Sequence, residues 1–397
     1  MAQHASRLRL HLLGDHFPQL HGLRALAIVS VLQVHLSITL NWVGLLQSPS
    51  LLSRSSSVWF GMDLFFILSG FLIGTLLLPG PDGRPREGMA RFYARRAFRI
   101  IPLYYVVLTV LPWIDPFSPV QLHGLWFEYA YLTNYPFLKA PPVMPWAWSL
   151  CVEEHFYLVV PILALLLARL PSTGWRIAIL VALWVLGFAV RYAVYAAHAT
   201  PWDPEELFLT LYLRTHTRFD ILVAGVLLAY VQGSYSGRLR EALRSRSLKI
   251  GLSLLPAVCC WVLLGPLAGR RDLSCVFAWG TITSVMYFSL VLLVLNTETS
   301  LTRWLSSRFF LRFATLGYGI YLVHPPLIAH VIVPAAFFML AGAQLPIGIV
   351  WPCALALLLV VASAVAYALH ITVEKPALWL RDLTTSRPLR AVATVRR

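Results

Sequence analysis

Charge is scarce in this chain. Only 12% of its 397 residues are Asp, Glu, Lys or Arg, against about 25% in soluble domains. A chain that is 58% hydrophobic, with a mean hydropathy of +0.71, cannot be wrapped in a polar surface. That excludes a soluble core and defines a polytopic membrane protein. Lysine is nearly missing too, at three of the 32 basic residues. The arginine preference suits phosphate recognition, and a GC-rich genome accounts for it equally. The net charge of +15 does not point to nucleic acid, because the basic residues collect in loops between apolar spans. Cysteine is sparse. Cys151, Cys259, Cys260, Cys275 and Cys353 lie in or beside apolar segments and form no CxxC pair or metal-ligand spacing. No metal and no resident cofactor is expected, and the cysteines read as lipid-facing or packing residues. A cleavable signal peptide is not expected either, because the N-terminus is polar and the first apolar run is long enough to span.

Ten apolar segments are candidate spans: 22–44, 58–79, 99–114, 149–170, 174–197, 217–232, 248–268, 274–295, 313–340 and 345–371. The third and sixth are short, which implies tilt, re-entry or other boundaries. The expected fold is therefore all-α, with about ten transmembrane helices. A cytosolic N-terminus places 24 basic residues inside and seven outside, with Arg24 remaining. This is the positive-inside pattern for an N-in, C-in protein of the inner (plasma) membrane. The organisation follows: residues 1–20 a cytosolic segment, 21–378 the membrane domain, 379–397 a basic cytosolic tail.

The first span carries Arg24 and His35, eleven positions apart. At about 100° per residue, eleven steps end about 20° past three turns, so both side chains share one face. At about 1.5 Å per residue they lie roughly 16 Å apart, Arg24 near a membrane boundary and His35 near mid-bilayer. An ionisable residue at that depth is a functional candidate; the plain alternative is a packing histidine bonded to a neighbouring helix. The second span opens with Asp63, either a first-turn carboxylate matched to the helix dipole or part of a site. Its Ser69, Gly70 and Gly74 make a face that another helix can approach closely. The loop after it is the densest basic patch. Arg95 and Arg96 fall four and three positions before Arg99, so on a helix they share a face. Such a pair can clamp a phosphate or bind anionic lipid.

Residues 115–148 form the longest outside segment, with six prolines and many aromatics. It reads as an interfacial aromatic belt or a stacking surface for sugar rings. Glu153, Glu154 and His155 then open a span, as dipole-compatible structure or as an outward-facing site for hydroxyls or a proton. Arg218 and Asp220 stand before the sixth span as an ion pair or as site walls. His324, in the ninth span, lies at a depth comparable to His35. Pro325 and Pro326 should break or kink that helix.

These segments together resemble the membrane acyltransferase 3 family. The resemblance runs from about residue 20 to 378: HGLRALA followed by His35, GMDLFFILSGFLIG, RFYARRAFRIIPLYY with Arg96-x-x-Arg99, WSLCVEEHFYL, RFDILVAG, YGIYLVHPPL and VEKP. His155 departs from it, since glutamine is more usual there, and this bears on the acceptor. The fused esterase-like domain of some relatives is not expected. The resemblance implies transfer of an acyl group, usually acetyl, from cytosolic acyl-CoA to a hydroxyl of a carbohydrate-containing acceptor. His35 would be the general base or a transient acyl carrier. Arg24 would orient the donor, Arg96 and Arg99 would hold CoA phosphates, and Glu153 would act in the catalytic group. Asp63, Glu154 and His324 would lie on the acceptor side, with His324 a second proton-handling candidate. The rival classes are a transporter or flippase, for which no inverted repeat is visible, and a non-catalytic glycan or lipid sensor. Within the enzyme reading, a small secreted product such as a macrolide is the rival acceptor.

Overall fold

The computed structural model describes residues 17–46, 58–78, 88–114, 124–135, 142–198, 201–268, 270 and 272–385. The described residues contain helices and no strand. In chain order the principal helices are α1 Gln19–Trp42, α2 Gly61–Leu77, α3 Met89–Ile114, α4 Pro145–Ala168, α5 Thr173–Ala196, α6 Phe219–Ala242, α7 Arg246–Leu264, α8 Ser274–Asn296, α9 Arg308–Gly342 and α10 Ile347–Leu383. Nine are long and apolar enough to cross a membrane, and α2 is shorter but apolar.

Each expected span meets a helix, with boundaries that differ for physical reasons. The third is not short. It begins at Met89, so the arginine-rich stretch is its first half. Arginine is a good helix former, and Phe92, Ile100, Leu103 and Tyr104 bury at helical spacing beneath it. Hydropathy alone misses that turn because charge masks the stripe. The sixth also runs on to Ala242, through a non-helical Tyr235 where its apolar part ends. Pro325 and Pro326 do not end α9. The helix continues, and a wide turn at Ile328–Ile332 follows the carbonyls that proline leaves without donors. After a similar wide turn at His370–Glu374, helical structure persists over Lys375–Thr385 and packs on α3, so the chain is still ordered past 379. Outside the described residues lie 1–16, Arg54, Arg84, Arg86, Lys139, Arg271, residues 386–397, and the outer loop's 115–123 and 136–141, with Phe117 and Phe137.

The small-residue face on α2 is the tightest seam. A Cβ at Gly70 would run into the Leu222 carbonyl of α6, and one at Gly225 would lie 2.9 Å from the Gly70 Cα. Ser69 turns the other way, to Tyr157 of α4 at 2.7 Å. Cys151, Cys259 and Cys275 are buried, Cys260 is half-buried and Cys353 is exposed.

Two arginines are fully buried between helices. Arg191 of α5 donates to Asp220 at 2.8 Å, to the carbonyls of Thr217 and Val276 at 2.9 and 3.1 Å, and to the Thr281 hydroxyl at 2.9 Å. Gly280, at φ +132°, leaves room for that guanidinium. Arg218 donates to Asp63 of α2 and covers the Tyr212 ring at 4.4 Å. Arg218 and Asp220 are thus both ion-paired, but with other helices rather than with each other. Outside the bundle, the short helix Leu125–Tyr129 presents Glu128, which accepts from the Val143 and Met144 amides at 2.7 and 2.8 Å. Burial pushes its carboxyl above the usual carboxylate range, against the pull of those two donors. The clamp sets the turn that leads into α4.

Removing one partner of a fully buried pair leaves an uncompensated charge. Asp220→Ala should therefore lower stability by about 3–5 kcal/mol, read as an earlier thermal transition in detergent. A transition unchanged from wild type would show that the pair does not hold α5 to α6.

Candidate active site

A half-open cavity of about 130 Å³ lies between α1, α2, α3, α4 and α9. Arg24 enters from α1, Arg96 and Arg99 from α3, and Glu153 and Tyr157 from α4. Ile28, Met62, Phe65 and Leu150 supply apolar wall. Gly317 also lines it, and a Cβ there would run into Ile28, so the glycine lets α9 lie against α1. Ser149, Glu153 and Tyr157 recur every fourth position on α4 and so share one face.

Three guanidiniums and one carboxylate make the lining net positive. None of the three arginines forms an ion pair with a described carboxylate, unlike Arg191 and Arg218. Arg96 lies 5.8 Å over the Phe92 ring and 5.0 Å over the Tyr157 ring. This is the donor set for an anion with several oxygens. Pockets for drug-sized ligands run to about 300–1,000 Å³, so only the tip of a larger molecule fits the enclosed part.

His35 does not line this cavity. It meets His324 of α9 instead, edge to edge, with Nδ1 of His35 and Nε2 of His324 2.5 Å apart, the ring centroids 4.8 Å apart and the ring planes within 6° of parallel. Nδ1 of His324 lies 2.7 Å from the Tyr321 carbonyl. The Tyr321 hydroxyl donates to the Trp146 carbonyl and stands 2.6 Å from the Ser149 hydroxyl. Tyr321 and Ser149 both line the cavity, so they form its wall on the side of the histidine pair.

The sequence candidates therefore divide. Arg24, Arg96, Arg99 and Glu153 come together around the cavity, and His35 and His324 come together beyond Tyr321. Arg95 is exposed and outside the lining. Asp63, expected on the acceptor side, is fully buried with its carboxylate on Arg218 and does not line this cavity. Glu154 does not line it either, because a one-residue step turns it about 100° from Glu153. One of its oxygens is buried with no described partner. His155 binds the Thr215 hydroxyl at 2.7 Å, which Asn134 also reaches at 2.8 Å. Sequence reasoning missed Ser69, Ser149, Tyr157 and Tyr321. Spacing from Glu153 marks the second and third, and Tyr321 lies three positions before His324.

Residues 17–371 match the family described as "Acyltransferase domain", and the chain belongs to it. The fold and cavity are thus those of a membrane-embedded member of an acyltransferase family. The chain is 28% identical to YrhL of Bacillus subtilis over 331 residues, 79% of this chain and 49% of that one. It is 24% identical to the peptidoglycan O-acetyltransferase OatA of Listeria monocytogenes over 330 residues, 79% of this chain and 49% of that one. It is also 24% identical to the O-acetyltransferase OatA of Staphylococcus aureus over 334 residues, 80% of this chain and 51% of that one. The chain spans about half the length of these relatives. No solved structure matches it.

Tyr321→Phe removes the donor to Trp146 and the partner of Ser149 at the cavity wall. It should cost about 1–3 kcal/mol of stability, read as a lowered thermal midpoint. No change in midpoint would mean that the turn before α4 is held by Glu128 alone.

Proposed function

We propose that this protein transfers an acyl group, most simply acetyl, from acyl-CoA to a hydroxyl of a cell-wall carbohydrate. The observation that carries the reading is the convergence of Arg24, Arg96 and Arg99, none of them ion-paired, on one cavity wall. In an interior where charge is costly, they fit a multiply charged donor whose phosphates they bind. Membership of the acyltransferase family and the names of the two OatA relatives support the reaction type and the acceptor class. The basic-residue distribution supports an N-in, C-in orientation in the plasma membrane, with the arginines on the cytosolic side.

In this reaction the acceptor hydroxyl oxygen attacks the thioester carbonyl carbon. The O–H bond breaks as His35 takes the proton. A C–O bond forms, the C–S bond breaks, and the thiolate leaves and takes up the proton as CoA thiol. Glu153 sits among the arginines and hydroxyls of the cavity, where it offsets part of their charge. The Tyr321 and Ser149 hydroxyls lie at the boundary between donor and base.

A ligand at about 100 times its dissociation constant adds roughly 2.7 kcal/mol to the stability of the native state. Acetyl-CoA should therefore raise the thermal midpoint of the wild-type protein, and Arg24→Ala and Arg99→Ala should lose that rise. If no acyl-CoA shifts the wild type while a glycan or lipid does, the transporter or sensor reading replaces this one. Separately, His35→Ala should abolish acetyl transfer while the protein stays in the membrane and keeps its acetyl-CoA shift. An active His35→Ala protein would remove His35 from the chemistry.

A further inference from the structure

The contact between His35 and His324 fixes where the ring protons sit. A backbone carbonyl can only accept, so the 2.7 Å contact between His324 Nδ1 and the Tyr321 carbonyl requires a hydrogen on Nδ1. A neutral imidazole has one ring hydrogen, so His324 Nε2 carries a lone pair. Across the 2.5 Å contact, His35 Nδ1 is then the donor. The hydrogen of His35 is on Nδ1, and its Nε2 is the basic nitrogen. His35 makes no other hydrogen bond among the described residues, so that lone pair is not spent.

We propose that His324 is a positioning residue: it holds His35 in the Nδ1–H tautomer and leaves His35 Nε2 as the nitrogen that takes the acceptor's proton. The activity half of this rests on the function proposed above; the tautomer itself does not. The arrangement has a consequence for the reaction step. When the acceptor O–H bond breaks and the proton passes to His35 Nε2, the ring becomes an imidazolium. Its Nδ1–H still points at a lone pair, and that hydrogen bond is now charge-assisted and stronger. The contact therefore stabilises the state formed during transfer more than the resting state, which is the condition for it to speed the step. When the proton leaves for the thiolate, the same tautomer returns. The Tyr321 carbonyl is the fixed end of the chain. Because Tyr321 is three residues before His324 on α9, helix geometry alone keeps it in place.

The direct test is solid-state NMR of the full chain in bilayers with ¹⁵N-labelled histidine. Subtracting the His35→Ala spectrum isolates the His35 signals. The expected result is a protonated Nδ1 and an unprotonated Nε2 on His35, with that preference lost in His324→Leu. A hydrogen on His35 Nε2 in the wild type overturns the proposal, and this holds whether or not the protein is an acyltransferase. The second arm is turnover with acetyl-CoA and a peptidoglycan fragment. In His324→Gln, the amide oxygen can replace the missing lone pair, so kcat should fall by less than about tenfold. His324→Leu offers no acceptor, and kcat should fall by more than about 100-fold with the acetyl-CoA thermal shift intact; losing a base's orienting partner costs about 10⁴-fold in a serine protease. Equal losses in the two variants, or a change confined to KM, would show that His324 packs the helices and does not orient His35.

Discussion

Taking a guanidinium out of water costs several kcal/mol even after the protein relaxes around it, and the membrane interior offers little to offset this. The chain meets the constraint in two ways. Arg191 and Arg218 are fully buried, and each has a carboxylate on another helix. Their partners tie α5 to α6 and α6 to α2, and Arg191 also reaches the Val276 carbonyl and the Thr281 hydroxyl of α8. In that frame each guanidinium is ion-paired within the protein, though Nε and one terminal nitrogen of Arg218 are buried without a described hydrogen-bond partner. Arg24, Arg96 and Arg99 form a second group with no such ion pairs, set around a cavity whose carboxylate is Glu153. The contrast is the strongest physical argument for a ligand. Within one fold, the arginines that hold helices form ion pairs with carboxylates, and the arginines at the cavity share Glu153 without a described ion pair.

Much of the fold was legible in the sequence because hydropathy reports spans and helical phase reports faces. Arg24 and His35 lie on one face of α1, and the glycines of α2 meet α6, both as spacing implied. What hydropathy could not report was a helix that continues through charge. The arginines of α3 lowered the apolar average, while the buried stripe of Phe92, Ile100 and Leu103 kept the helix going. Partner choice between distant helices was also beyond reach. Arg218 and Asp220 stand two positions apart, yet on a helix that spacing points them in different directions. Each reached a charge of opposite sign elsewhere, Arg218 on Asp63 and Asp220 on Arg191. Phase also separates Glu153 from Glu154, so one of two adjacent carboxylates faces the cavity and the other does not.

The turn before α4 and the histidine pair belong to one connected set of polar contacts. Glu128 accepts from two consecutive amides and so fixes the backbone ahead of Trp146. The Trp146 carbonyl accepts from the Tyr321 hydroxyl, and the Tyr321 carbonyl accepts from His324. A single residue on α9 thereby joins the loop before α4, through its side chain, to the histidines, through its backbone. The π-type turn at Ile328–Ile332 follows immediately. Its position keeps the last regular turns before Pro325 intact, and those turns carry Tyr321 and His324.

On the proposed function, this geometry also constrains the donor. Arg24 and His35 are roughly 16 Å apart along α1. A reacting hydroxyl and carbonyl carbon have to approach to about 3–3.5 Å, within hydrogen-bond reach of the base. A compact anion held by the arginines could not present its reacting carbon at His35. A donor with phosphates at one end and the thioester at the end of a narrow, flexible arm could, and the small cavity between the two groups suits an arm rather than a second headgroup. The Tyr321 and Ser149 hydroxyls lie across that path. The arm therefore either displaces their contact with each other or exchanges it for hydrogen bonds to the thioester carbonyl. In the second case, the oxygen that gains charge as the hydroxyl attacks would meet an O–H donor from Ser149, which otherwise donates to the Tyr321 oxygen because the Tyr321 hydrogen goes to Trp146. Donors aimed at developing charge in a water-poor site are the largest single contribution in many acyl transfers, and the wall between cavity and base is where this fold has one to offer.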